Sequence, residues 1–83
     1  GLSKISVRSE GGSLQSAAER FPGVAQSLFK EDYAIYYTTN PGATVSALMA
    51  YLAARSDALV DLRIERPSLE DRFLELTHPG GAR

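Results

Sequence analysis

The stretch 59-LVDLRIER-66 has the most regular pattern in this chain of 83 residues. From residue 60 onward, apolar and charged side chains alternate. A period of two is typical of a β-strand that has one covered face and one face in water. The stretch therefore predicts a strand from Leu59 to Arg66. One side of it would carry Val60, Leu62 and Ile64, and the other would carry Asp61, Arg63 and Glu65.

A lone strand needs partners, and the sequence supplies three candidates. Residues 3–8 alternate polar and apolar side chains, so Ile5 and Val7 would share one face. Residues 24–30 and 33–39 would form a hairpin through the tight segment Lys30-Glu31-Asp32, and the second of these strands is rich in aromatic and β-branched residues. This turn contains no glycine, so its type stays open.

Helical spacing fills the intervals between the strands. Apolar side chains at i, i+3, i+4 and i+7 predict a helix from Leu14 to Phe21, which Pro22-Gly23 would end. The same spacing predicts a helix from Pro41 to about Arg55, capped by Asn40. The two apolar stripes are Leu14, Ala17, Ala18 and Phe21 in the first helix, and Val45, Leu48, Met49 and Leu52 in the second.

A third helix is predicted after the last strand. Ser68 would cap it together with Asp71, in the manner of a capping box. The apolar face of this helix would consist of Leu69, Phe73 and Leu76. A Pro-Gly-Gly sequence at residues 79–81 would end it, so we expect one domain over residues 1–78 and a disordered tail over residues 79–83.

The order of these elements predicts an α+β fold of the ferredoxin-like type. This βαββαβ sandwich has a four-stranded antiparallel sheet with two helices on one face, and the third helix would be an addition at the C-terminus. Right-handed crossovers would place the first and the last strand side by side at the centre of the sheet.

Composition narrows the functional classes. Ten acidic residues against nine basic ones give a net charge of −1, so no broad positive surface for nucleic acid is expected. The absence of cysteine and the single histidine argue against disulfides and against thiolate or histidine metal sites. No apolar run has the length of about 20 residues that a membrane helix needs. The first residue is not methionine, so we expect a piece of a longer protein.

The sequence offers no catalytic set. The phosphate-loop motif GxxxxGK[ST] is absent, and Gly11-Gly12 is interpreted as a strand-to-helix turn. His78 lies near the end of the third predicted helix, without a second histidine that could activate a serine. We therefore predict that the chain is not an enzyme and binds no cofactor or metal. Ion pairing and solubility explain the scattered acids, which are Glu10, Glu31, Asp32, Asp57 and Asp61.

Two binding functions stay open as alternatives. Sheets of this topology stack RNA bases on aromatic side chains, and Tyr33, Tyr36 and Tyr37 lie on one predicted strand. However, arginine and lysine do not cluster beside them, so nucleic acid is not the expected partner. Amino-acid-sensing regulatory domains share this order of elements and use a glycine-containing loop after the first strand, which Gly11-Gly12 would supply.

The end of the chain, 60-VDLRIERPSLEDRFLELT-77, resembles the C-terminal end of ATP-binding subunits of bacterial ABC transporters. The resemblance is to the drug-resistance and multidrug-export type, including the daunorubicin-resistance ATPase family. Those chains commonly close with a strand, Pro-Ser or Pro-Thr, a Leu-Glu/Asp-Asp/Glu-x-Phe-Leu segment and Leu-Thr. The family usually has an apolar residue where this chain has Arg72. The segment here is 69-LEDRFL-74, and its expected interaction residues are Leu69, Glu70, Asp71, Phe73 and Leu74.

The resemblance extends to the order of elements upstream and implies a non-catalytic accessory domain that supports subunit dimerisation or coupling to the membrane permease. It implies that the parent protein uses ATP and Mg²⁺, with the phosphate loop and signature sequence upstream of these residues. The implied partners are the ATPase core of the same chain, a second ATPase subunit and the permease. The implied location is cytoplasmic, associated with the membrane through the transporter complex and not by direct insertion.

Overall fold

Four strands and one α-helix make up most of the structure, a computed structural model that describes residues 1–16 and 20–66. The sheet contains β1 (Ser3–Ser9), β2 (Val24–Lys30), β3 (Tyr33–Thr38) and β4 (Leu59–Glu65). The helix α1 (Pro41–Ala54) connects β3 to β4. All pairings are antiparallel, in the order β2-β3-β1-β4. The predicted α+β fold with a four-stranded antiparallel sheet is therefore confirmed.

The sheet order corrects the predicted position of the last strand. β1 and β4 are neighbours as expected, with Ile5 opposite Ile64 and Val7 opposite Leu62. However, the two central strands are β1 and β3, and β4 lies at an edge. In the first half of the fold, β1 is central and β2 lies at the edge beyond β3. In the second half, β3 is central and β4 lies at the edge beyond β1. The first strand of each half therefore takes a central place.

The hairpin of β2 and β3 is confirmed, and its turn has an unusual backbone. Glu31 and Asp32 both have positive φ angles, of 53° and 70°. Positive φ at both central residues is the pattern of a type I′ turn, whose twist matches that of the flanking strands. The turn type that the sequence left open is thus the one that hairpins favour.

The helix predicted over 14–21 is replaced by shorter structure in the described residues. A 3₁₀ helix covers Ser13–Ser16, residues 17–19 lie outside the described part, and Phe21 lies in no helix. Phe21 is nevertheless buried, in edge-to-face contact with Tyr36 and Tyr51 at ring-centroid distances of 5.4 Å and 5.5 Å. It joins the core by aromatic packing from a loop.

The hydrophobic core lies between α1 and one face of the sheet. Leu48 is fully buried and Leu52 nearly so, as the predicted stripe of α1 requires. Burial of each such side chain contributes about 1.5–3 kcal/mol to folding. Burial, followed by the effect of neighbouring Tyr51, raises the pKa of Tyr36 to about 12. The buried cluster contains Ile5, Val7, Leu14, Phe21, Ala34, Tyr36, Leu48 and Leu52.

Hydroxyl groups fasten the start of α1 to the sheet. The Thr38 and Thr44 side-chain oxygens are 2.8 Å apart, and the Thr44 hydroxyl donates to the main-chain oxygen of Pro22 at 2.6 Å. Asn40 caps the helix as predicted, since its side chain accepts a hydrogen bond from the Ala43 N–H at 3.2 Å. The bond from Ala43 satisfies one of the N–H groups that the first turn of a helix leaves unpaired, and the Thr44 hydroxyl ties that turn to the loop at Pro22.

The third predicted helix cannot be compared with the structure. Its cap Ser68, its apolar face, His78 and the tail over 79–83 all lie outside the described residues, as does the domain boundary at residue 78. They stay predictions.

Candidate functional site

The loop after β1 forms hydrogen bonds to the carboxylate of Asp57, a residue that is more than 40 positions away in the sequence. The Asp57 carboxylate accepts hydrogen bonds from the Ser9 and Ser13 hydroxyls at 2.7 Å and 2.6 Å. It also accepts from the main-chain N–H groups of Gly11 and Ser13 at 2.6 Å and 3.0 Å. The Ser13 and Ser9 hydroxyls and the Gly11 N–H stabilise the charged form and hold the pKa of Asp57 well below its usual range.

This arrangement bears on the amino-acid-binding alternative. A ligand carboxylate in a glycine-containing loop would use the same main-chain donors that Asp57 already uses. The loop is also closely packed, because a Cβ atom added to Gly11 would lie 2.9 Å from the nearer Asp57 oxygen. The described geometry therefore favours a structural role for Gly11-Gly12, in agreement with their interpretation as a turn.

The sheet face opposite α1 mixes charged and aromatic side chains. The Tyr33 hydroxyl donates to Asp61 at 2.7 Å, and Arg63 Nε lies 3.6 Å from the same carboxylate. The hydrogen bond from Tyr33, and to a smaller extent the charge of Arg63, lowers the pKa of Asp61. A shallow depression of about 260 Å³ on this face is lined by Lys4, Ser6, Lys30, Glu31, Tyr33, Ile35, Arg63 and Glu65.

The side chains on this face bear on the RNA-binding alternative. Basic side chains do lie beside a tyrosine, contrary to the sequence-based expectation, and the Arg63 guanidinium carbon is 5.8 Å from the ring centroid of Tyr33. Tyr36, however, is buried in the core on the other side of the sheet, so it cannot join Tyr33 and Tyr37 in stacking. Acidic side chains alternate with the basic ones, so the face is a charge patchwork and not a positive surface.

A second depression, which we call the β4 groove, lies between α1 and β4. It has a volume of about 410 Å³ and is mainly apolar. Ile64 on its β4 side is 45% exposed, although the alternating pattern of the strand suggested a covered face. Only Leu62 of the three apolar residues of that pattern packs against the core. The groove is lined by Pro41, Gly42, Val45, Ser46, Met49, Ile64 and Arg66.

The edge position of β4 explains this exposure. A central strand has a neighbouring strand on both sides, whereas β4 has one neighbour in the sheet formed by the described residues. The register with β1 also shifts between Arg8 and Ser9, so that Arg8 pairs with Asp61 and Ser9 with Leu59. Val60 falls in this irregularity and is 49% exposed.

The predicted interaction residues lie outside the described residues, namely Leu69, Glu70, Asp71, Phe73 and Leu74. The described part ends at Arg66, which itself lines the β4 groove. Sequence reasoning missed both the groove and the role of Asp57. The cluster of short donors in 9-SEGGS-13 was the available signal for the second, but nothing in the sequence indicated which acid they would bind.

Within residues 1–16 and 20–66, no helix is both long and apolar enough to cross a lipid bilayer. The same residues contain no group of three acidic or histidine side chains that could hold a metal ion. No protein-family model, no curated protein and no solved structure matches this chain. The residues of the chain itself therefore carry the functional inference.

Proposed function

We propose that this chain is a non-catalytic accessory domain of the ATP-binding subunit of a bacterial ABC transporter of the drug-resistance type. The single observation that carries the proposal is the stretch 60-VDLRIERPSLEDRFLELT-77, which resembles the end of such subunits. In this role the domain acts by contact, either between two ATPase subunits or between a subunit and the permease.

The described residues are compatible with an interaction role. Contact surfaces need exposed apolar groups that a partner can cover, and Leu59, Val60 and Ile64 on β4 are each between 44% and 49% exposed. They immediately precede the proposed interaction segment in the chain. The outer edge of β4 also leaves main-chain groups without a strand partner in the described sheet, and such an edge can pair with another chain.

The interaction segment is assigned residue by residue. Leu69, Phe73 and Leu74 supply apolar contacts, and Glu70 and Asp71 supply charge at the rim of an interface. Ser68 is the predicted cap of the helix that we expect to present them. Arg72 replaces a residue that is usually apolar in the family, so the partner surface here should offer an acidic group or water at that place.

The first test reads the gene. The codons upstream of Gly1 should encode, in the same frame, a phosphate loop and an ABC signature sequence. A different upstream domain would overturn the proposal.

The second test is a calorimetric titration of the isolated chain with Mg²⁺-ATP, in which we expect no binding, because the residues that hold the nucleotide are assigned to the upstream core. Micromolar affinity of this chain for Mg²⁺-ATP would contradict the proposal that nucleotide binding belongs to the upstream core.

A variant of the complete subunit tests the contact itself. Leu74→Asp should weaken subunit or permease association and lower transport, while Mg²⁺-ATP binding by the core stays unchanged. The matched control is Arg72→Ala, which alters the neighbouring position without removing an apolar contact of the segment. Equal loss of association in both variants, or in neither, would count against the assigned role of Leu74.

A further inference from the structure

The β4 groove is an apolar surface with no cover among the described residues. Three α1 side chains form one wall, Pro41, Val45 and Met49, which follow each other at intervals of one helical turn. Ile64 forms the other wall and is 45% exposed. Val45 and Met49 belong to the stripe that faces the core, yet both stay partly exposed. An apolar groove with polar residues at its rim, here Ser46 and Arg66, is typical of a contact site.

We propose that residues 68–77 of the same chain occupy the β4 groove. Arg66 lines the groove, so the chain enters the segment from the groove itself. Leu69 is three residues further on, a distance of up to about 10 Å for extended chain. Residues 68–77 are therefore tethered directly at this surface.

The dimensions of the segment match those of the groove. If helical, the stripe Leu69, Phe73 and Leu76 extends over about 10 Å, at 1.5 Å per residue. The wall from Pro41 to Met49 extends over about 12 Å by the same measure. One apolar stripe can therefore lie along the other over its whole length.

Charge also favours this occupant. The segment carries Glu70, Asp71 and Glu75 against a single Arg72. The first turn of α1 lies in the groove wall and contains no acidic residue, so its positive dipole end is not offset by a neighbouring acid on the helix. Arg66 adds a positive charge where the segment begins. An acidic segment is thus electrostatically suited to this end of the groove.

This docking goes beyond the proposed function and does not rest on it, since it concerns only this chain. It does assign two faces to the interaction segment. With Leu69, Phe73 and Leu76 in the groove, the apolar contacts of Leu69 and Phe73 are made within the chain, and helical geometry at 100° per residue turns Asp71 and Leu74 away from the groove. The face left for a partner would then be centred on these two residues.

Cysteine pairs test the docking directly, because the chain has no cysteine of its own. Met49→Cys with Phe73→Cys should give an oxidised monomer under mild oxidation at micromolar protein, since tethering raises the effective concentration to about millimolar. The matched control is Leu28→Cys with Phe73→Cys, because Leu28 lies on β2 at the opposite edge and is 40% exposed. Intact mass and non-reducing electrophoresis distinguish the products.

The outcomes are separable. An oxidised monomer from the Met49 pair alone supports docking within one chain. Disulfide-linked dimers from that pair would overturn it, because a second copy would then supply the segment. Equal oxidation of both pairs would also overturn it. If the docking is wrong, the expected results of the gene reading and of the Mg²⁺-ATP titration do not change. Failure of the docking proposal is therefore distinguishable from failure of the proposed function.

A chemical-shift experiment checks the same docking without a covalent bond. Phe73→Asp keeps the chain length and removes the apolar contact. We expect shifts in the amide signals of Val45, Met49 and Ile64, with those of Leu28 and Phe29 unchanged. Signals that stay in place around the groove, in a variant whose other signals show a folded domain, would contradict the proposal.

Discussion

At the scale of single residues, Asp57 joins two loops that are far apart in sequence. The end of β1 and the start of β4 meet because the two strands are antiparallel neighbours, and Ser9 pairs with Leu59. Asp57 precedes β4 and so comes within reach of the donors that follow β1. Its hydrogen bonds fix the loop whose glycines, in the amino-acid-sensing alternative, would bind a ligand.

The lowered pKa of Asp57 predicts a pH-dependent stability contribution. A carboxyl group whose folded pKa lies below its unfolded value of about 3.9 stabilises the fold above that pH. The contribution is lost as pH falls toward the folded pKa. Asp57→Asn should therefore lower the urea midpoint at pH 7, and the difference from the original chain should shrink steadily as the solution is acidified below about pH 4.

The control for this prediction is Glu10→Gln in the same loop. Glu10 has an exposed side chain, so its replacement removes a neighbouring acid without removing a hydrogen bond to Asp57, and the midpoint of urea denaturation at pH 7 should stay unchanged. Urea denaturation followed by circular dichroism at several acid pH values measures both variants. An Asp57→Asn protein with the same acid slope as the original chain would show that these hydrogen bonds do not couple protonation to folding.

At the scale of elements, the periodicity of apolar residues correctly predicted those strands and the helix whose formation depends mainly on local sequence. The alternation in β1 and β4, the aromatic and β-branched content of β3, and the Asn40 cap of α1 all gave elements that the structure contains. The segment 14–21 shows the limit. It has helical spacing, but the breakers at both ends leave it well below the roughly 12–15 residues at which an isolated helix becomes marginally stable. The position of Phe21 is then determined by its packing against Tyr36 and Tyr51 and not by a helix.

The hairpin turn allows a stabilising change. Glu31 has a φ angle of 53° and Asp32 one of 70°, and the left-handed region costs an ordinary residue about 1–2 kcal/mol. Replacing the pair by Asn-Gly, the pair that type I′ turns prefer, should raise the free energy of unfolding by about 1 kcal/mol. Chemical denaturation measures this as a higher midpoint with an unchanged slope.

A proline at the same place provides the opposite control. Proline requires a φ angle near −65°, which the backbone at Asp32 does not have, so Asp32→Pro should destabilise the hairpin. If the Asn-Gly variant unfolds at or below the original midpoint, the turn is not held in the type I′ conformation in solution.

At the scale of the whole molecule, the two faces of the sheet differ in what the sequence reveals. On the covered face, apolar spacing grouped Ile5 with Val7, which the structure buries, but it did not place Tyr36 in the core. The β4 groove could not be predicted, because an edge strand and a central strand show the same alternation of apolar and charged residues. The interaction segment, by contrast, was found from sequence resemblance alone and stays a prediction. The functional proposal thus combines a motif from the sequence with a surface that only the fold reveals.

The open face permits a last test against the RNA-binding alternative. Phosphate binding requires an excess of positive charge, whereas Lys4, Lys30 and Arg63 here alternate with acids. We expect no shift of single-stranded RNA in a gel at low salt. The double variant Glu31→Lys with Glu65→Lys removes the two acids of the depression and should begin to retard RNA in a salt-dependent manner. Retardation by the original chain that Tyr33→Ala abolishes would contradict this prediction, because it would assign base stacking to Tyr33, whose hydroxyl donates to Asp61.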